Sequence, residues 1–143
     1  MSRIRTRDTA PELAVRSIVH RMGYRFRIQR RDLPGRPDLV LPRLKVAIFV
    51  HGCFWHQHPE CSNGVLPKSN RPFWSKKFRQ NRARDREVEI AIANAGWKAV
   101  TVWECETDKQ GTLRRRLRSI LNRRSRRLLA DEAFPPSELR PSR

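Results

Sequence analysis

An α/β sandwich built on a short mixed central sheet flanked by helices is the fold class this sequence predicts, and three observations carry the prediction. The elements read in the order helix, three strands, helix, strand, helix. The run Lys45 to Val50 (KVAIFV) is apolar almost throughout, as a central strand covered on both faces would be. A length of 143 residues suits one domain with a real hydrophobic core.

The first helix announces itself at Thr9. Thr9 and Glu12 have capping-box spacing, Pro11 suits a first turn, and Val15, Ile18, Val19 and Met22 recur at helical intervals until Gly23. Tyr24, Phe26 and Ile28 then alternate with Arg25, Arg27 and Gln29, the period of a half-buried strand. After a turn-rich connection (RRDLPGRP), residues 38–41 and 45–50 read as two strands joined as a hairpin at Pro42-Arg43. A long helix is predicted over 73–94, with Trp74, Phe78, Val88 and Ile92 apolar and Gly96 just past its end. Residues 97–103 (WKAVTVW) form a further strand and 108–122 an Arg-rich helix. From Arg123 the chain turns into a Pro/Arg/Ser sequence read as a disordered tail, which places the domain at 1–122 and the tail at 123–143.

Lys and Arg number 32 against 14 Asp and Glu, a formal net charge of +18. A charge that large favours a polyanionic partner, and nucleic acid is the usual one. A basic membrane-surface protein competes, but no 18-residue apolar run or export-type segment is present. Three cysteines without an export signal point to a reducing cytoplasm in which thiols serve as ligands.

Chemistry concentrates between His51 and Cys61, where HGCFWHQHPEC holds three of the four histidines and two of the three cysteines. Cys105 follows in the phrase VWEC. Three thiolates and one imidazole make a complete tetrahedral zinc set, and His51, His56 and His58 all compete for the imidazole place. Free buried thiols are the alternative.

Several phrases in order, MSRIRTRDTAPE, LPGRPDLVLP, VAIFVHGCFWHQH, FWSKKFRQNRARD and GWKAVTVWEC, resemble the very-short-patch repair (Vsr) endonuclease family over roughly residues 1 to 106. The resemblance implies a restriction-endonuclease-like core with a structural zinc. It also implies strand-specific, Mg²⁺-dependent nicking of double-stranded DNA beside a T·G mismatch, the lesion left when 5-methylcytosine deaminates. A monomer is expected, on the bacterial nucleoid in the cytoplasm, with a functional link to a cytosine-5 DNA methyltransferase and no membrane partner.

By the same resemblance, Asp38 of the PD pair binds the catalytic Mg²⁺ and the backbone carbonyl of Val50 is a second ligand, since the strand Ala47-Ile48-Phe49-Val50 lacks the acidic residue and lysine usual in nucleases. His56 is the expected general acid/base and His51 positions phosphate nearby. Asp85 orients His56, although an ion pair on the helix surface fits it as well. Glu12 is expected to reach the metal through water, in competition with its role in the helix cap. Zinc falls to Cys53, His58, Cys61 and Cys105. Phe54 and Trp55 are expected to stand free of their polar loop and insert into the base stack, with Met1 probing from the opposite groove. Two other readings fit the same charge and ligands: a non-catalytic zinc-stapled DNA-binding module, and a nuclease of the same fold with a different mismatch or sequence specificity.

Overall fold

The computed structural model describes residues 8–58, 61 and 66–133; Met1 lies outside them. Helix α1 (Ala10–Arg21) is followed by strands β1 (Leu39–Leu41) and β2 (Val46–His51), helix α2 (Arg71–Asn94), strand β3 (Lys98–Trp103), a 3-10 turn over Glu104–Asp108 and helix α3 (Gln110–Ala133). The sheet is mixed: β1 pairs antiparallel with β2, and β2 pairs parallel with β3, in the order β1-β2-β3.

The apolar run of β2 has a direct cause. Val46 and Ile48 join one core with Val15, Ile18 and Val19 of α1 and Leu113, Leu117 and Leu121 of α3. Ala47 and Phe49 point the other way and pack with Ile92 and Val88 of α2. Both faces of the strand are therefore buried, and neither admits a polar residue. Helix α1 starts at N-cap Thr9, whose hydroxyl accepts from the Glu12 N–H at 3.4 Å, and Gly23 continues the chain beyond its C-terminus at φ +88°.

Two expectations are corrected. The alternating segment 24–28 makes no strand of its own and pairs with β1 at one point, where Arg27 and Val40 exchange backbone bonds of 2.8 Å. Its neighbour β1 is three residues long and bounded by Pro37 and Pro42, so a longer ladder has no partner, and Gln29 at φ +57° turns the chain away. Residues 123–133, expected in the disordered tail, continue α3 to Ala133. They contain no Gly or Pro and are rich in Arg, Leu and Ala, which favour helix. Arg124 ties this extension down, donating to the carbonyls of Leu44 at 2.8 Å and Gly96 at 2.9 Å. No helix among the described residues is long and apolar enough to cross a membrane.

Candidate active site and metal site

Two clusters form around the C-terminal ends of β2 and β3, one on each side of a tight loop. The loop folds on backbone bonds from His56 N–H to Gly52, Gln57 N–H to Phe54 and His58 N–H to Cys53. Gln57 sits at φ +50° between the two histidines and its side chain donates to the Phe54 carbonyl at 2.7 Å. That reversal sends His56 towards α2 and His58 towards the 3-10 turn after β3.

On the second side, ligand atoms of Cys53, His58, Cys61 and Cys105 all lie within 4.8 Å of one another. The His58 Nδ1 is 3.8 Å from the Cys53 sulfur and 3.5 Å from that of Cys105. Tetrahedral zinc bound through thiolate and imidazole separates sulfur from nitrogen by about 3.5 Å, so the donor set fits the ion in both chemistry and spacing. Burial pushes the Cys53 thiol up to about 12 and raises that of Cys105, as expected for thiols that face a cation only once one is bound.

On the first side, a cleft of about 280 Å³ is lined by Asp38, Val50, His51, His56 and Asp85 among others. Asp38 precedes β1, and its Oδ2 accepts from the Val50 N–H at 2.6 Å, which pins the carboxylate to β2. Burial, followed by the neighbouring Glu12 carboxyl, outweighs that bond and pushes Asp38 up to about 6. Glu12 is itself 5 % exposed; its Oε2 accepts from the Asp8 N–H at 2.8 Å and lies 3.5 Å from Arg16. Glu12 thus serves the helix start through the N–H of Asp8, one residue before the N-cap, and uses a single carboxylate oxygen to do so.

Across the cleft, His56 Nδ1 is 2.6 Å from Asp85 Oδ2, and His51 Nδ1 is 4.0 Å from the same oxygen. These three groups also lie close enough to suggest a metal, but the rings decide against one. The imidazoles of His51 and His56 stack with centroids 3.9 Å apart and planes 7° from parallel. A bound ion lies near the plane of each of its imidazoles, and two stacked planes share no such point. The arrangement is a hydrogen-bonded pair with a second ring stacked on it: a carboxylate oxygen accepts, so His56 Nδ1–H donates to Asp85 Oδ2. Burial and the adjacent His56 hold His51 down to about 4, so it is neutral at physiological pH and offers hydrogen-bonding nitrogens rather than a cation.

Phe54 does not stand free of its loop. It packs edge-on against Phe78 at 5.2 Å and Trp74 at 5.6 Å. Trp55 is 40 % exposed and lies 6.0 Å from Trp74, beyond which Phe73 is 52 % exposed. The exposed aromatics of this group are thus Trp55 and Phe73, with Phe54 and Trp74 half-buried and Phe78 beneath them.

Sequence reasoning also missed Trp103. It stacks on His58 at 4.3 Å and meets His51 edge-on at 5.4 Å, and so joins the two clusters through one indole. Its place in VWEC beside Cys105 was the available signal. Glu89, which lines the cleft, follows Asp85 by one helical turn and was readable from that spacing.

Residues 1–63 match the family model described as DNA mismatch endonuclease Vsr. The chain is 52 % identical over 122 residues to Type II nicking enzyme V.XorIIP of Xanthomonas oryzae pv. oryzae, covering 85 % of this chain and 89 % of that enzyme. The chain belongs to the Vsr family. It is also 38 % identical to Type II nicking enzyme V.NmeAIP of Neisseria meningitidis over 85 % of this chain and 86 % of that protein. Against DNA mismatch endonuclease Vsr of Escherichia coli the identity is 42 %, over 73 % of this chain and 67 % of that enzyme. Membership of the Vsr family makes the protein a DNA endonuclease, a hydrolase of phosphodiester bonds, rather than a non-catalytic binding module.

Proposed function

We propose that this protein is a Mg²⁺-dependent, strand-specific endonuclease that nicks double-stranded DNA beside T·G mismatches produced by deamination of 5-methylcytosine. It acts as a monomer on a restriction-endonuclease-like core with a structural zinc, in a repair step linked to a cytosine-5 DNA methyltransferase. The observation that supports this best is Asp38, with Glu12 beside it, on one wall of the cleft and the His56–Asp85 pair on the other. Two crowded carboxyls, one raised to about 6 by burial and mutual repulsion, make an oxygen-rich place that a hard divalent cation would stabilise. Asp38 and the Val50 carbonyl would hold Mg²⁺, with Glu12 reaching it through water. Bound there, the ion would supply charge neutralisation at the phosphate and an activated water.

The chain's own groups supply the rest. Asp85 fixes the tautomer of His56, so His56 Nε2 takes or returns the proton as the phosphodiester is cleaved. Arg36 and Arg84 line the same cleft and face the phosphate as cations. Zinc on Cys53, His58, Cys61 and Cys105 has four protein ligands and no open position, so its role is to clamp the loop to β3. Trp55, supported by Trp74, is the wedge that tests how easily a base step opens, and a mispaired step opens at lower cost. The test is nicking of a T·G duplex with and without Mg²⁺ by wild type and Asp38→Asn. Nicking only by wild type with Mg²⁺ is expected; equal nicking by the variant would remove Asp38 from the reaction.

A further inference from the structure

The catalytic cleft is not the largest concavity of the molecule. A groove of about 760 Å³ lies along β3 between α2 and α3. β3 is the outermost strand of the sheet, yet its free edge is closed. Arg116 donates to the Thr101 carbonyl at 2.8 Å and is held by both oxygens of Glu106, while the Trp103 N–H donates to Glu106 at 3.0 Å. An added β-strand would have to break these bonds, so the groove is not built for strand addition.

Its charge points elsewhere. Arg116, Arg123, Arg124 and Arg127 recur at helical spacing on one side of α3, Lys98 faces them from β3, and Glu89 is the one carboxylate among the lining residues. Arg116 and Arg124 are engaged with acceptors on other elements, and Arg123 Nε donates to the Ser119 carbonyl of its own helix at 3.4 Å. Lys98, Arg123 and Arg127 are exposed, and among the described residues none has a carboxylate within 4.0 Å. Three unpaired cations in one groove repel one another, and a polyanion would relieve that repulsion. The groove also shares Glu89 and Thr101 with the catalytic cleft, so a phosphate backbone leaving the cleft passes directly into it.

We propose that this groove is a second, sequence-independent site for the DNA backbone, in which Lys98, Arg123 and Arg127 hold duplex phosphates flanking the nicking position. The proposal rests on the reading of the protein as a DNA endonuclease and adds where the flanking DNA runs. Each phosphate contact contributes about 0.9 to the slope of log affinity against log salt. The triple variant Lys98→Gln/Arg123→Gln/Arg127→Gln should therefore show a slope shallower by about 2.7, so that wild type loses roughly 40-fold more affinity than the variant between 50 and 200 mM salt.

The measurement is a salt titration of binding to a T·G duplex and to the same duplex shortened on either side, with zinc content and melting temperature as folding controls. On the long duplex the variant should show the shallower slope, with its single-turnover nicking rate at saturating DNA unchanged. The charge-preserving variant Lys98→Arg/Arg123→Lys/Arg127→Lys should restore the wild-type slope. Shortening one side alone should abolish the difference. Equal slopes for wild type and the Gln variant on the long duplex would overturn the proposal, and would leave an acidic protein as the groove's occupant. A wild type that binds with the expected slope difference but nicks nothing would leave the groove standing and remove the catalytic reading.

Discussion

Replacing Asp38 with Asn should stabilise the protein while abolishing its activity. Asp38 lines the cleft with Glu12 beside it, and burial together with that carboxyl raises its pKa from 3.8 to about 6. A group raised in the folded state favours folding while protonated, and that contribution is lost as the pH climbs through about 6. At 1.36 kcal/mol per tenfold change, the ionised carboxylate at pH 8 costs the fold on the order of 3 kcal/mol relative to a neutral group. Asn keeps the acceptor for the Val50 N–H and presents an amide that can donate to Glu12. Asp38→Asn should therefore melt about 6–12 °C above wild type at pH 8. The gap should narrow below pH 6 and close near pH 4. The assay is thermal denaturation across that range in Mg²⁺-free buffer without chelator, which would strip the Cys/His site. Any pH dependence of the zinc ligands or of His51 is common to both proteins and cancels in the difference. Adding Mg²⁺ should then raise the wild-type midpoint and leave the variant's unchanged. A variant that melts at or below wild type at pH 8, or a gap independent of pH, would refute the reasoning.

Asp85→Asn should leave zinc content intact and lower the single-turnover nicking rate by about 10²–10⁴-fold, because a neutral amide stabilises no imidazolium and its NH2 can donate to Nδ1 and hold His56 in the other tautomer. Cys105→Ala and His58→Ala should release zinc and lower the melting temperature, whereas His56→Ala should keep the ion and stop nicking, as metal analysis beside an activity assay would show. Trp55→Ala should weaken binding to a T·G duplex by roughly tenfold or more with little change on the paired duplex, base–aromatic stacking being worth about 1–3 kcal/mol. Phe54→Ala should instead lower stability by about 2 kcal/mol, since its ring packs on Phe78 and Trp74, and calorimetry would separate the two variants.

The sequence was legible where a residue's neighbours in the chain set its environment. Thr9 and Glu12 marked the start of α1, KVAIFV marked a doubly covered strand, and Gly96 at φ +83° marked the turn after α2. The grouping of Cys53, His58, Cys61 and Cys105 was legible because thiols and imidazoles in a basic chain have few other uses in that number. What escaped depends on contacts between distant segments. The strand at 24–28 failed because β1 proved too short to pair with it, which its own alternation could not reveal. The packing of Phe54 could not be read because its partners Trp74 and Phe78 lie on another element. The basic groove escaped because Arg123 and Arg127 were assigned to the tail, and only the extension of α3 brings them into line with Arg116.

The most direct test of the account is a single-turnover assay in which each strand is labelled in turn, on T·G, T·A and C·G duplexes of one sequence with Mg²⁺ present. The account predicts one nick, in the T-bearing strand beside the mismatch, with the paired duplexes left intact. Cleavage of both strands, or nicking of the T·A duplex at a comparable rate, would contradict it.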